Sequence, residues 1–166
     1  MFREMRRKNQ QLSQQENRAV LQRGTSGVLA LLGDGGYPYA VPLSYACEEG
    51  KIYFHWALSG HKLDAVLKEN RASFCVIDKD EVVPEKFTTY FRSVIAFGRI
   101  HILEQEAEKR RALEMLAEKY SPEVPEAERE KEISRFWDSV CIAQLSIEHL
   151  SGKQGRELCA QSGEKQ

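Results

Sequence analysis

Hydrophobic positions recur along this chain with two periods. Ser13-Gln14-Gln15-Glu16 is a capping box, in which Ser hydroxyl and Glu carboxylate each satisfy an orphan backbone N–H of a helix start. It predicts a helix to Arg23, ended by Gly24. Residues 27–32 form a short apolar run, read as a strand, and Gly33-Asp34-Gly35-Gly36 is a hairpin turn, because Asp-Gly tolerates positive φ cheaply. Tyr37, Tyr39, Val41, Leu43 and Tyr45 then alternate as one strand face does. Glu48-Glu49-Gly50 turns the chain into a further strand over 51–58.

The period changes after that. Leu63, Val66 and Leu67 predict an amphipathic helix over 60–70. Residues 72–77 read as a strand, 78–86 as a charged loop with Pro84, and 87–103 as a long β stretch in which Gly98 marks a bulge or close packing. Helices follow over 105–119, with Ala107, Leu113 and Leu116, and over 126–136, separated by Pro122 and Pro125. The last strand spans 139–150, with Val140, Ile142, Leu145 and Ile147 as its apolar positions, and 151–166 reads as a loose polar tail. Six strands, the first of them linked by hairpins or one short helix, favour a small, mainly β, antiparallel barrel with four peripheral helices over a parallel sheet.

Composition narrows the function. At 166 residues the chain suits one domain with a proper core. The 24 Lys+Arg against 25 Asp+Glu give no basic face for nucleic acid, and the one basic run, near the N-terminus at 3–8, reads as a solvated segment. No apolar run approaches the roughly 20 residues of a membrane span, and the N-terminus shows no secretory apolar region. Cys47, Cys75, Cys141 and Cys159 are widely spaced without a C-x-x-C, so a reducing cytoplasm is expected and a disulfide framework is not. Rossmann, Walker A, H-E-x-x-H and G-x-S-x-G patterns are missing, and His55, His61, His101 and His149 lack metal-ligand spacing, so no metal is expected.

The chemistry concentrates in Ser59-Gly60-His61-Lys62, which opens a helix. Free N–H groups, a hydroxyl and two basic side chains there make an anion site, the alternative being a plain cap with exposed charges. His55, in Tyr53-Phe54-His55-Trp56, is either a cofactor neighbour or a hydrogen-bonded barrel histidine. Pro42 inside a strand marks an edge or a bulge; an edge leaves the backbone of Leu43 and Ser44 open to a ring's polar rim, unless it is simply an edge proline. Thr88 to Ser93 bring hydroxyls and Arg92, a phosphate ligand or a salt-bridge partner. Phe136-Trp137 reads as core before site, and Tyr45, Tyr90 and His55 are the candidate proton donors.

The segments GDGGYPYAVPLSY, GKIYFHWALSGHKLDAV, RASFCVID and FTTYFRSVIAFGRI resemble the FMN-binding split-barrel proteins of the pyridoxamine 5′-phosphate oxidase-like superfamily, with the nitroimidazole-resistance branch nearest. The pairing of Tyr-Pro-x-x-x-Pro-x-Ser-Tyr with Phe-His-x-Ala-x-x-Gly-His-Lys carries this likeness, which spans residues 6–153. It implies a six-stranded split barrel over 1–153, a polar tail over 154–166, and a homodimer with FMN at the subunit interface. By resemblance, Pro42, Leu43 and Ser44 line the ring edge. Tyr53, Phe54, His55 and Ala57 follow the ring and ribityl chain, and Ser59, Gly60, His61 and Lys62 hold the phosphate. Thr89, Tyr90 and Arg92 add contacts, and Trp137 reaches over from the partner. The expected activity is FMN-dependent reduction of a small acceptor such as a nitroimidazole by a small-molecule electron donor. The alternative is a non-catalytic flavin- or haem-binding sensor on the same barrel. The C-terminal GKQGRELCAQSGEKQ lacks the Arg-Leu-x-Pro type of ending that grips vitamin B6 substrates, so that oxidation is not expected.

Overall fold

The computed structural model describes residues 2–163. Helix α1 (Gln14–Arg23) leads into β1 (Ser26–Leu32), β2 (Pro38–Ser44), β3 (Ala46–Glu48) and β4 (Lys51–Ala57). Then come α2 (His61–Lys68), β5 (Arg71–Val83), β6 (Thr88–Ile102), α3 (Glu106–Tyr120), α4 (Glu126–Phe136), β7 (Val140–Gln154) and α5 (Arg156–Gly163). The capping box forms as the sequence implies: Glu16 N–H donates to Ser13 Oγ, and Ser13 N–H donates to Glu16 Oε2.

All strand pairs are antiparallel, in the order β2-β1-β5-β6-β7-β4-β3. The two ends of that order, β2 and β3, are separated in the chain by Tyr45 alone. One residue advances the chain by about 3.8 Å, so the sheet must curl until its edges meet. The result is a barrel closed covalently at a seam where no strand pairing closes it. Inside lie Leu29, Phe54, Phe74, Val76, Val94 and Leu145, all fully buried. Phe74 meets the edges of Tyr45 and Phe54 at centroid distances of 4.8 and 5.0 Å. A second apolar cluster, including Ala112, Met115 and Leu116 with Tyr53 and Ile142, seats α3 on the barrel.

Four expectations change. The sheet has seven strands rather than six, because Tyr45 breaks the expected strand and β3 follows it. Residues 78–83 are not loop: β5 bulges between Ile77 and Lys79 and runs on, and Val83–Lys79 pairs with Thr88–Arg92. A ribbon with two partly wetted faces needs no apolar alternation, so its charges masked it. β7 continues to Gln154, and α5, anchored by buried Leu158, occupies part of the expected loose tail. Leu67 is exposed, while α2 buries Val66, as expected, and Ala65 in place of Leu67. Gly98 is both bulge and close approach: the register shifts there, and a Cβ would collide with the Ser146 carbonyl oxygen. Among the described residues no helix is long and apolar enough to cross a membrane.

Candidate functional site

The seam edge is built by β2. Its register with β1 pairs Leu32 with Pro38 and Val28 with Pro42, and Gly33 N–H donates to the Tyr37 carbonyl at 2.8 Å. In an antiparallel ladder, hydrogen-bonded and non-hydrogen-bonded pairs alternate. Pro38, Ala40, Pro42 and Ser44 therefore turn their backbone away from β1, while Tyr39, Val41 and Leu43 bond to it. Pro42 thus marks an edge, as expected. Of the two candidate backbone donors, only Ser44 N–H faces outward.

Beside that edge lies a cleft of ≈ 1120 Å³. One wall is the barrel: Leu43 and Ser44 of β2, His55, Trp56 and Ala57 of β4, and Lys62 of α2. The other is helical: Leu113, Leu116, Ala117 and Tyr120 of α3, and Arg129, Ile133 and Phe136 of α4. In β4, Ile52, Phe54 and Trp56 point inward while His55 and Ala57 open to the cleft side. Packing on one side strips water from His55 and holds its imidazole below the ordinary histidine value, so it is neutral at pH 7.

The start of α2 is where the sequence places its candidate anion site. Gly60 is its N-cap with φ of 121°, a conformation that suits glycine, and no side chain caps the helix. Half-buried Lys62 reaches the cleft wall. His61 does not. Its ring stacks on Tyr39 at 4.0 Å, and Nε2 lies 3.8 Å from Asp34 Oδ2, against the β1–β2 turn. Ser59 and Gly60 are exposed in the turn before the helix, off the cleft wall.

Other expected site residues lie elsewhere in this chain. Phe54 is fully buried and Tyr53 nearly so, both as core. Arg92 is a salt-bridge residue: its guanidinium holds Asp78 at 3.3 Å and Gln154 at 3.0 Å, and Arg23 grips the same carboxylate. Tyr90 accepts a hydrogen bond from Lys86 on the β5–β6 ribbon, where Thr89 also sits. Trp137 lies under Lys109 and Arg110 at the far end of the helical pair. Tyr45 is no proton donor to the cleft, because its buried hydroxyl donates to the Leu21 carbonyl at 2.7 Å and burial pushes its acidity far down. Conversely, Phe136, read as core, is 47% exposed and lines the cleft.

The helical wall escaped the sequence reading. Leu113 and Leu116 were legible as an apolar face, but Ala117 and Tyr120 continue it at helical spacing toward a surface that is only part core. Arg129 shapes the turn between the helices by donating to the carbonyls of Ser121, Pro122 and Val124, the last at 2.9 Å.

A family model described as pyridoxamine 5′-phosphate oxidase matches residues 13–154. The chain belongs to the pyridoxamine 5′-phosphate oxidase family. Its barrel is the split barrel of that superfamily, as the sequence motifs implied. Solved structures of similar fold include a candidate 5-nitroimidazole antibiotic resistance protein of Bacteroides thetaiotaomicron, 18% identical over 87% of this chain and 86% of that one, with a TM-score of 0.73. An FAD-binding protein of Mesorhizobium loti is 26% identical over 87% of this chain and 96% of that one, with a TM-score of 0.63. An FAD and haem binding protein of Mycobacterium smegmatis is 19% identical over 93% and 80%, with a TM-score of 0.73. None of the curated proteins matches the chain.

Proposed function

We propose that this chain binds FMN in the seam cleft and reduces a small acceptor, nitroaromatic or nitroimidazole compounds being the class to test first. The observation that carries the reading is the cleft itself: a largely apolar space of ≈ 1120 Å³ with one outward backbone donor at Ser44 and a half-buried ammonium at Lys62. A flat ring needs apolar walls and a donor at its polar rim, and a phosphate needs a cation beside free N–H groups. Leu43, Ala57 and Val140 supply the first, Ser44 the second, and Lys62 with the uncapped start of α2 the third. The residues present fit the cofactor.

When bound, the flavin supplies two-electron transfer between donor and acceptor. Ser44 N–H stands outward at the last ladder pair of β2 and favours negative charge at the atom it meets. Neutral His55 offers one N–H and one lone pair to the cleft, so it can pass a proton at Nδ1 or Nε2. Tyr120 and Phe136 wall the space opposite. The family likeness and the FAD-binding relative at 26% identity support a flavin.

The reading includes a homodimer. Val28, Cys75 and Ile95 align across β1, β5 and β6 on the face turned away from the core, and Val28 and Ile95 are exposed, as is Ile77 beyond them. Thr89, Tyr90 and Trp137 stand apart from this chain's cleft and would join a site only from a second copy. All four cysteines are free thiols, which suits a cytoplasmic location.

The test is the visible spectrum of the purified protein before and after adding FMN and desalting, followed by NADH or NADPH oxidation with a nitroaromatic acceptor. About one retained flavin per chain and acceptor-dependent turnover support the proposal. A colourless protein refutes it, and a Soret band moves the cofactor to haem.

A further inference from the structure

The seam residue is held in a way the flavin reading does not use. Tyr45 lies between β2 and β3 and belongs to neither. Its backbone instead meets Tyr120, the last residue of α3. Tyr45 N–H donates to the Tyr120 hydroxyl oxygen at 2.8 Å, and that oxygen lies 2.6 Å from the Thr25 carbonyl and 2.8 Å from the Tyr45 carbonyl. A phenol accepts and has one proton to give. The hydroxyl therefore accepts from Tyr45 N–H and donates to Thr25, with the Tyr45 carbonyl sharing the proton. The preceding residue grips the same tyrosine from its face: the Lys119 ammonium sits 4.0 Å over the Tyr45 ring and has no hydrogen-bond acceptor among the described residues. Two adjacent residues of α3 thus staple the seam.

The staple sits where β2 would otherwise fray. The β1–β2 ladder ends at the pair Ser26–Ser44, which is of the non-hydrogen-bonded kind. The peptide joining Leu43 to Ser44 is held by the pairing of Leu43 with Gly27, and the next peptide, joining Ser44 to Tyr45, is held by Tyr120. Thr25, just before β1, is anchored by the same hydroxyl. Ser44 is therefore fixed from both sides only while Tyr120 is bound, and terminal ladder positions open readily without such support.

We infer that Tyr120 is a positioning residue that, through Tyr45 and Thr25, holds the outward N–H of Ser44 aimed into the cleft. This rests on the flavin reading above and names the part of the chain that keeps its ring-edge donor in place. Tyr120 is absent from every site motif of the sequence, and its role comes from the hydroxyl rather than the ring.

The test compares wild-type protein with Tyr120→Phe, Ser44→Pro and the double variant. Proline at 44 removes the outward N–H and breaks no ladder bond, as Pro38 and Pro42 already do at equivalent positions. FMN affinity is read by quenching of flavin fluorescence, and amide exchange at Ser44 and Tyr45 is read in the apoprotein and with FMN. Each single variant is expected to raise the Kd for FMN about tenfold, the effect of one well-aimed hydrogen bond, with the double variant no weaker than either single one. Tyr120→Phe should also speed Tyr45 exchange in the apoprotein and abolish the protection of Ser44 by FMN. Wild-type affinity in Tyr120→Phe, or losses that add in the double variant, would overturn the inference, since a purely structural phenol lowers the melting temperature without that pattern. Should Tyr120→Phe fail to fold, an unprotected Tyr45 amide in the wild-type apoprotein overturns it equally, and a protected one supports it. Failure of the wild-type protein to bind FMN sinks the flavin reading itself, a result separate from all of these.

Discussion

The two basic residues that open α2 should behave differently, although the sequence presents them as a pair. Lys62 is half-buried on the cleft wall, whereas His61 stacks on Tyr39 at 4.0 Å and leans toward Asp34. Lys62→Ala removes a charge from beside the proposed phosphate. The loss falls between that of a solvent-exposed ion pair and that of a charged hydrogen bond, about 1–2 kcal/mol, or about 5- to 30-fold in Kd for FMN. His61→Ala removes a ring stack worth about 0.5–1 kcal/mol of fold stability, which lowers the melting temperature by about 2 °C and leaves Kd within about twofold. Titration of the apoproteins with FMN at low and high salt separates the two. The wild-type and His61→Ala proteins should lose affinity with salt at the same slope, and Lys62→Ala should lose it less steeply. Equal weakening by both substitutions, or no weakening by Lys62→Ala, would refute the placement of the phosphate.

Two further outcomes follow from the fold and the cleft. Gly98→Ala forces a Cβ into the Ser146 carbonyl and should cost about 2–3 kcal/mol, a drop of about 4–12 °C in Tm. Gly50→Ala, at φ of 80° in open space, should cost about 1 kcal/mol, and a Gly98→Ala protein that melts like wild type would contradict the bulge geometry. His55 has a folded value below its ordinary 6.5, so the unfolded chain takes up the proton first. Its contribution to stability is complete above the ordinary value, falls as pH drops through the window down to the lowered folded value, and is constant below it. Urea midpoints at about pH 7.5 and about pH 5.5 should differ more in the wild type than in His55→Gln, and equal differences would show that His55 is not desolvated.

Local chemistry made the scaffold legible. The capping box at Ser13, the Gly33–Gly36 turn and the alternation through Leu43 each depend on near neighbours, and each appears where the pattern put it. What the pattern missed depends on partners far along the chain. The ribbon over 79–83 is stabilised by its ladder with β6, so its charges looked like loop. Arg92 and His61 have residue types suited to phosphate, but Asp78 and Tyr39 claim them, and only the fold brings those partners near. The cleft's helical wall combines core-like residues with Tyr120 and Phe136, and no spacing rule distinguishes an apolar face that packs from one that faces a cavity.

The prolines of β2 have a consequence beyond the site. An edge strand with free donors and acceptors is a template on which another chain can add a strand, and this edge stands at an open seam. Of the four outward positions from 38 to 44, two are proline, which leaves Ala40 and Ser44 as donors spaced too far apart to begin a continuous ladder. The barrel can therefore keep its seam open to a ligand without offering the same edge to a neighbouring molecule. The open seam is thus guarded against edge-to-edge aggregation by two positions that have no N–H to offer.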